Sequence, residues 1–167
     1  MLTNSRTRII CAFPGVGKTH FHKENPETCL DSDSSTFSWI EGTTERNPDF
    51  PRNYIEHIKE NIGKYDFILV SSHKEVRNEL AKNNLFYYLI YPDSYFEYGM
   101  KHEFMGRYKR RLSPLGFIKL LGEQFDTWSK DCDQEDYPGC KKICLRNKDD
   151  YLVNEINHIV CSENGEC

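Results

Sequence analysis

The chain predicts an α/β domain built on a parallel sheet, and three observations carry that expectation. Short apolar runs alternate with longer segments of helical period. One of those runs, Phe67-Ile68-Leu69-Val70, is continuously apolar, as a strand buried on both faces has to be. The first run ends in a glycine-rich turn, Pro14-Gly15-Val16-Gly17, that opens directly into a helical segment. In sheets of this kind ligands lie beyond the carboxyl ends of the strands, so the polar residues just after each apolar run need inspection.

Taken in order, "TRIICAF" is the first strand, and a helix follows from Lys18 to about Glu24, stopped by Asn25-Pro26. "TCLDSD" reads as a second strand ending in carboxylates. "STFSWIEGTTERNPDF" is polar and turn-rich, with Gly42 and Asn47-Pro48 as breakers. Pro51 suits the first turn of the helix "PRNYIEHIKENIGK", where Tyr54, Ile55, Ile58 and Ile62 share a stripe and Gly63 marks the stop. "YDFILVSSH" is the third strand, with Ser71 or Ser72 able to cap the helix "HKEVRNELAKNN". "LFYYLIYP" is the fourth strand. Two helices, "YFEYGMKHEFMGRYKRR" and "PLGFIKLLGEQFDTWSKD", then lead to a short fifth strand, "KKICL", and a last helix, "DDYLVNEINHIV".

A length of 167 residues, 38% hydrophobic and 29% charged, fits one folded domain with no internal repeat. A net charge of -4 excludes a general polyanion binder, so any basic surface is local. No stretch approaches the roughly 20 apolar residues of a membrane span, and the N-terminal apolar run is too short for a signal-peptide core. A cytoplasmic location and no membrane partner are the expectations. The seven cysteines are odd in number and read as free thiols of a reducing compartment. "CDQEDYPGCKKIC" lacks the paired CxxC spacing that would favour zinc.

The turn Ala12-Phe13-Pro14-Gly15-Val16-Gly17-Lys18-Thr19 fits the Walker A spacing, with Ala12 in place of the first glycine. Gly15 and Gly17 let successive backbone N–H groups point at phosphate oxygens, with Pro14 and Val16 completing the loop. Lys18 would reach the β and γ phosphates of ATP, and the Thr19 hydroxyl would ligate Mg²⁺. The bland reading is a plain strand-to-helix turn; the strand before and the helix after favour the phosphate cradle.

Asp31 and Asp33 in "CLDSDSS" follow the second strand. A carboxylate there can take the proton of an attacking hydroxyl or hold a metal-bound water, with Asp33 the first candidate for the base and Asp31 the second; Asp31 is also a candidate Mg²⁺ ligand. The bland reading is a helix cap or a solvated turn. In "KHEFMGRYKRRLSP", Arg107 shares a helical face with Arg110 and Arg111. Residues 101–119 hold six Lys or Arg against one Glu, which suggests a polyphosphate clamp on a lid rather than only a solvated helix face. For the acceptor, Phe37, Trp39 or Tyr54 could stack on a base, Arg46 could meet a phosphate, and Ser72 stands after the third strand. No strand ends in a Walker B carboxylate, and no NKxD-like guanine signature is present. Both absences favour a small kinase over a mechanical ATPase or a GTPase. His73 reads equally as a helix-start residue or a ligand.

Together, the N-terminal P-loop, the DxD after the second strand and the late arginine-rich helix resemble the P-loop nucleoside and nucleotide kinases. The likeness is nearest to small phage-type deoxynucleotide monophosphate kinases and covers about residues 8–156. The resemblance implies a three-layer α/β/α P-loop kinase fold with a five-stranded parallel sheet of order 2-3-1-4-5. It implies a single domain over residues 1–167, an acceptor-binding insertion at about 34–53 and a lid helix at about 97–113. Lys18 and Thr19 carry over onto the Walker A positions, Asp31 or Asp33 onto the acidic residue after strand two, and Arg107, Arg110 and Arg111 onto the lid arginines.

The expected activity is ATP- and Mg²⁺-dependent phosphoryl transfer to a (deoxy)nucleoside monophosphate, including a modified pyrimidine. The alternatives are a kinase for a nucleoside, modified-base or DNA 5′ hydroxyl, a P-loop toxin that phosphorylates a sugar nucleotide, and a non-catalytic nucleotide-binding module. Nucleic acid is a further candidate partner, and the chain is expected to be a monomer or a homodimer.

Overall fold

The apolar runs become strands because burial on both faces leaves no room for polar side chains. The computed structural model describes residues 6–94 and 100–165, and in it Ile10, Cys11, Ala12, Ile68, Leu69, Val70, Leu89 and Ile90 are fully buried. They lie in β1 (Arg8–Ala12), β3 (Phe67–Ser71) and β4 (Tyr87–Pro92), which form the centre of the sheet. The outer strands are β2 (Cys29–Asp31) and β5 (Cys140–Leu145). All pairings are parallel and the order is β2-β3-β1-β4-β5, as the resemblance implies. Truncating a central side chain, as in Leu69→Ala, would cost about 2–5 kcal/mol of stability.

Helices α1 (Lys18–Glu24), α2 (Ser35–Ser38), α3 (Arg52–Asn61), α4 (Lys74–Lys82), α5 (Met100–Arg110), α6 (Leu115–Asp133) and α7 (Leu152–Asn164) complete a three-layer α/β/α arrangement. Each longer helix turns a stripe inward: Tyr54, Ile55 and Ile58 from α3, Val76 and Leu80 from α4, Phe104 and Tyr108 from α5. Edge-to-face ring contacts link Phe13 to Phe104 and Phe125 at 6.0 and 5.4 Å. The buried Arg77 of α4 donates to the Ser72 carbonyl at 3.0 Å and pairs with Asp131 and Glu135, so its charge is compensated where it lies.

Several boundaries differ from expectation for physical reasons. The stripe of α3 stops at Ile58, because Ile62 lies past the helix end and is exposed. Neither Ser71 nor Ser72 caps α4: the N-cap is His73, whose N–H lies 3.4 Å from the Ser71 hydroxyl. Strand β2 is shorter than expected and ends at Asp31. The polar stretch after it contains the short α2 and a bridge between Trp39 and Arg46. The described part of the expected lid helix is α5, which ends at Arg110; its expected start at about 97 lies outside the described residues. None of the six described cysteines is in a disulfide, and burial pushes Cys29 and Cys132 each up to about 12, away from reactivity.

Register brings the strand ends together. Ala12 pairs with Ser71 and Asp31 with Leu69, and the Ser32 N–H continues the ladder to the Leu69 carbonyl at 2.9 Å. The residues after β1, β2 and β3 therefore share one edge of the sheet.

Candidate phosphate and acceptor cleft

The glycine turn after β1 follows from the sequence locally. Gly15 and Gly17 hold φ values of 93° and 107°, a left-handed backbone that a residue with a Cβ adopts only under strain. A Cβ on Gly15 would also stand 2.6 Å from Tyr108 Cε1. Gly17 is the N-cap of α1 and supplies no side-chain cap, so the first N–H groups of the helix are left for another acceptor. The Lys18 ammonium donates to the Ala12 carbonyl at 3.0 Å, folded back along the turn. Burial lowers its pKa, and Asp31 and then Asp33 oppose that shift without overcoming it.

The turn is braced from behind by α5 and α7. Tyr108 Oη donates to the Pro14 carbonyl at 2.5 Å, Arg107 Nη1 to the Gly15 carbonyl at 3.1 Å, and the Leu152 N–H to the Val16 carbonyl at 2.9 Å. Arg107 Nη2 donates to the Lys148 and Asp150 carbonyls at 2.8 and 3.0 Å, and Nε to Glu103 Oε1 at 3.2 Å. The guanidinium also lies 3.9 Å from the Tyr151 ring centre and 4.5 Å from that of Phe104. Arg107 is only 6% exposed, so it buttresses the turn, whereas the sequence suggested a mobile clamp. Arg110 and Arg111 fit that description better. Both are exposed; Arg110 pairs with Glu103 at 2.9 Å, and Arg111 donates to the Ser113 hydroxyl at 2.8 Å.

The opposite wall comes from the end of β2. Asp31 is half-buried and has no hydrogen bond or ion pair to another described residue, while its field reaches Lys18. Asp33 is exposed and accepts the Ser35 N–H at 2.9 Å, the role of a local turn cap. Between them, Ser32 is fixed through its carbonyl, which accepts from Tyr54 Oη at 2.7 Å; that oxygen in turn accepts the Ser71 N–H at 3.3 Å.

These walls enclose a cleft of about 690 Å³. The expected donor residues Pro14, Gly15, Gly17, Lys18 and Thr19 line it, and so do Asp31, Asp33, Arg107, Arg110 and Arg111. Val16 is buried beneath the turn and does not line the cleft. The expected acceptor contacts fall elsewhere. Tyr54 and Ser72 are buried in the framework, and Phe37 packs 5.2 Å from Tyr54 and 4.8 Å from His57. Trp39 and Arg46 face each other at 5.6 Å outside the cleft, with Arg46 paired to Glu75. The wall instead presents Ser32, Ser34, Ser35, Ser71 and His73, with Phe117 and Tyr151 at the other side. Of these, only Ser71 and His73 carried a sequence signal, their place after a strand. Desolvation lowers the His73 pKa, ahead of the opposing pull of Glu75, so this imidazole is neutral at pH 7.

The donor set suits Mg²⁺. Thr19 offers an exposed hydroxyl and Asp31 an unpaired carboxylate, both hard oxygens of the kind that Mg²⁺ takes one or two at a time alongside phosphate and water. Among the described residues no group of three or more His, Cys, Asp or Glu could hold a metal unaided, and none is needed for a cation bound in that way.

No protein-family model matches the chain, and no curated protein matches it. The parallel sheet of order 2-3-1-4-5, with the glycine turn after its central strand, is nevertheless a P-loop-NTPase-like topology. It is a scaffold compatible with nucleotide binding and phosphoryl transfer.

Proposed function

We propose that the chain is a P-loop phosphotransferase that moves the γ-phosphoryl group of ATP to an acceptor of the nucleoside or nucleotide class. The observation that carries this reading is convergence: the glycine turn with Lys18, the unpaired Asp31 and the exposed Arg110 and Arg111 all line one cleft. A module that only holds ATP needs the glycine turn and Lys18 but neither a base nor a clamp on the transferring group.

The wall after β2 favours an acceptor hydroxyl over an acceptor phosphate. Its residues are Asp31, Ser32, Asp33, Ser34, Ser35 and Ser71, without a Lys or Arg, and His73 beside them is neutral. A monophosphate brings about two negative charges to that wall, where two carboxylates repel them. A nucleoside, modified-base or DNA 5′ hydroxyl brings none. A monophosphate acceptor is the second reading, favoured by the spare donors of Arg110 and Arg111.

In the mechanism we derive, backbone N–H groups of the turn and the Lys18 ammonium bind the β and γ phosphates, with Lys18 leaving the Ala12 carbonyl to do so. Arg110 and Arg111 neutralise charge on the transferring group from the open side. Asp31 accepts the acceptor's proton and orients its oxygen in line. Mg²⁺, which the Thr19 hydroxyl would hold while Asp31 stays free as the base, would supply charge neutralisation at the phosphates.

ADP release is the test, measured with Mg²⁺ and ATP against nucleosides, all nucleoside monophosphates including 5-hydroxymethyl pyrimidines, and a 5′-hydroxyl oligonucleotide. Release with a hydroxyl acceptor supports the first reading, and release only with a monophosphate selects the second. Tight ATP binding without release on any acceptor would reduce the chain to a binding module.

A further inference from the structure

Helix α5 closes in a way that packing alone does not require. The Ser113 N–H donates to the Tyr108 carbonyl and the Leu112 N–H to the Lys109 carbonyl, both at 3.0 Å. This is the helix-closing turn whose left-handed position is normally glycine. Here Leu112 holds it, at a φ of 54°. A leucine in that region is strained, and this one is 88% exposed, so its side chain gains nothing from the core. Leu115, at the start of α6, is 85% exposed. No other large hydrophobic side chain among the described residues is as exposed as these two, and Leu120 lies exposed on the same helix. Apolar side chains gathered on one exposed corner mark a surface that a partner covers.

Charge and position identify that partner. Residues 109–120 carry Lys109, Arg110, Arg111 and Lys119 and no Asp or Glu, in a chain of net charge -4. Among the described residues Lys109 has no ion pair, and Lys119 meets only Glu123, at 4.0 Å. The corner runs into the cleft, which Arg110, Arg111 and Phe117 also line. The Tyr108 ring, whose hydroxyl braces Pro14, lies 5.1 Å from the Arg111 guanidinium and 6.3 Å from the Phe117 ring. The cleft is thus bordered by two opposite fields. Asp31 and Asp33 disfavour an anion at the reacting end, and the corner attracts anions behind it. A free nucleoside has no anionic tail, and a monophosphate carries its charge at the reacting end. A nucleic-acid strand has a neutral hydroxyl and, behind it, phosphates that alternate with apolar base faces. Resting on the hydroxyl-acceptor reading above, we propose that the 109–120 corner docks a single-stranded nucleic acid that bears the acceptor hydroxyl. Lys109 and Lys119 hold its phosphates, and its bases pack on Leu112 and Leu115. The substrate is therefore a hydroxyl on a strand, and a free nucleoside is a poor one.

The test uses a labelled single-stranded DNA of about 12 nucleotides with a 5′ hydroxyl, bound without ATP and followed by fluorescence anisotropy. ADP release on that strand and on free nucleosides is measured beside it. Wild type is compared with the double variant Lys109→Glu/Lys119→Glu and with Leu112→Gly. Wild-type affinity should fall as salt rises, with a log–log slope of about -2 or steeper. The double variant should bind about 100-fold more weakly and flatten that slope, and Leu112→Gly should lose about fivefold or more. Glycine relieves the backbone at position 112, so the thermal midpoint of Leu112→Gly should equal or exceed wild type, and its loss of binding then has no origin in unfolding. Both variants should raise KM for the strand and leave Mg·ATP affinity unchanged. Equal strand binding by all three proteins would overturn the proposal. Binding to phosphatidylglycerol vesicles and not to the strand would overturn it too, in favour of a membrane contact. Failure of the underlying reading looks different: corner-dependent strand binding with no ADP release on any acceptor would keep the docking surface and remove the phosphotransferase. ADP release on free nucleosides without strand binding would do the reverse.

Discussion

The two sides of the cleft are held in place over very different distances along the chain. Gly15 is tied to Arg107 across 92 residues and Pro14 to Tyr108 across 94. Asp33, on the facing wall, bonds to Ser35 and Thr36, two and three residues on. The donor side is therefore a product of the whole fold, and a change there propagates into α5 and α7. The acceptor side beyond Ser32 is drawn by local turns, so it can be rewritten by nearby sequence without disturbing the cradle.

The sharpest way to break this contrast is at Lys18, the residue both sides act upon. Lys18→Ala should lower acceptor-dependent ADP release by about 10³-fold while the far-ultraviolet circular dichroism stays native. Next comes the choice of carboxylate. The unpaired Asp31 should be the more sensitive, with Asp31→Asn losing about 10²-fold or more in turnover, and Asp33→Asn, which still accepts the Ser35 N–H, losing about tenfold or less. The reverse order would return the base to Asp33 and make Asp31 a spectator.

A third comparison separates buttress from clamp within one helix. Arg107→Ala strands three carbonyls and should cost about 2–4 kcal/mol in urea unfolding. Arg110→Ala, three residues further on and exposed, should change stability by no more than about 0.5 kcal/mol and act only on transfer. The smallest effect lies in their shared partner, Glu103. Burial raises the Glu103 pKa, but hydrogen bonds from Arg107 and Arg110 outweigh that and hold it below its ordinary 4.5. A depressed carboxyl stabilises the fold above its unfolded pKa, and that contribution fades as pH falls below about 4.5 through the folded value. Glu103→Gln should therefore flatten the acid limb of the stability curve, and an identical limb in both proteins would disconnect Glu103 from the brace.

Much of this architecture was legible in the residues alone. Apolar continuity exposes a central strand, and the Pro14–Thr19 turn declares its geometry through glycines that no other residue replaces. What periodicity reports is which residues share a face, and not what that face touches. It grouped Arg107 with Arg110 and Arg111, although the first is buried against backbone carbonyls and the others are in solvent. It placed Tyr54 on an apolar stripe but left its ring free to be imagined stacking on a base, when the ring is buried and its hydroxyl pins Ser32 and Ser71. Ser32 itself carries no pattern signal, since a serine between two aspartates reads as turn composition.

The bond from the Leu152 N–H to the Val16 carbonyl has a consequence for the order of events during synthesis. The glycine turn leaves the ribosome well before its supports: β1 cannot find β3 until residue 71 has emerged, and the back of the turn stays unbraced until α7 follows. Parallel pairing of this kind closes long loops before it yields contacts, so it is slow. A nascent chain halted before residue 152 would carry the complete glycine motif and lack the cradle. On the function proposed above, nucleotide binding requires that translation has run through α7.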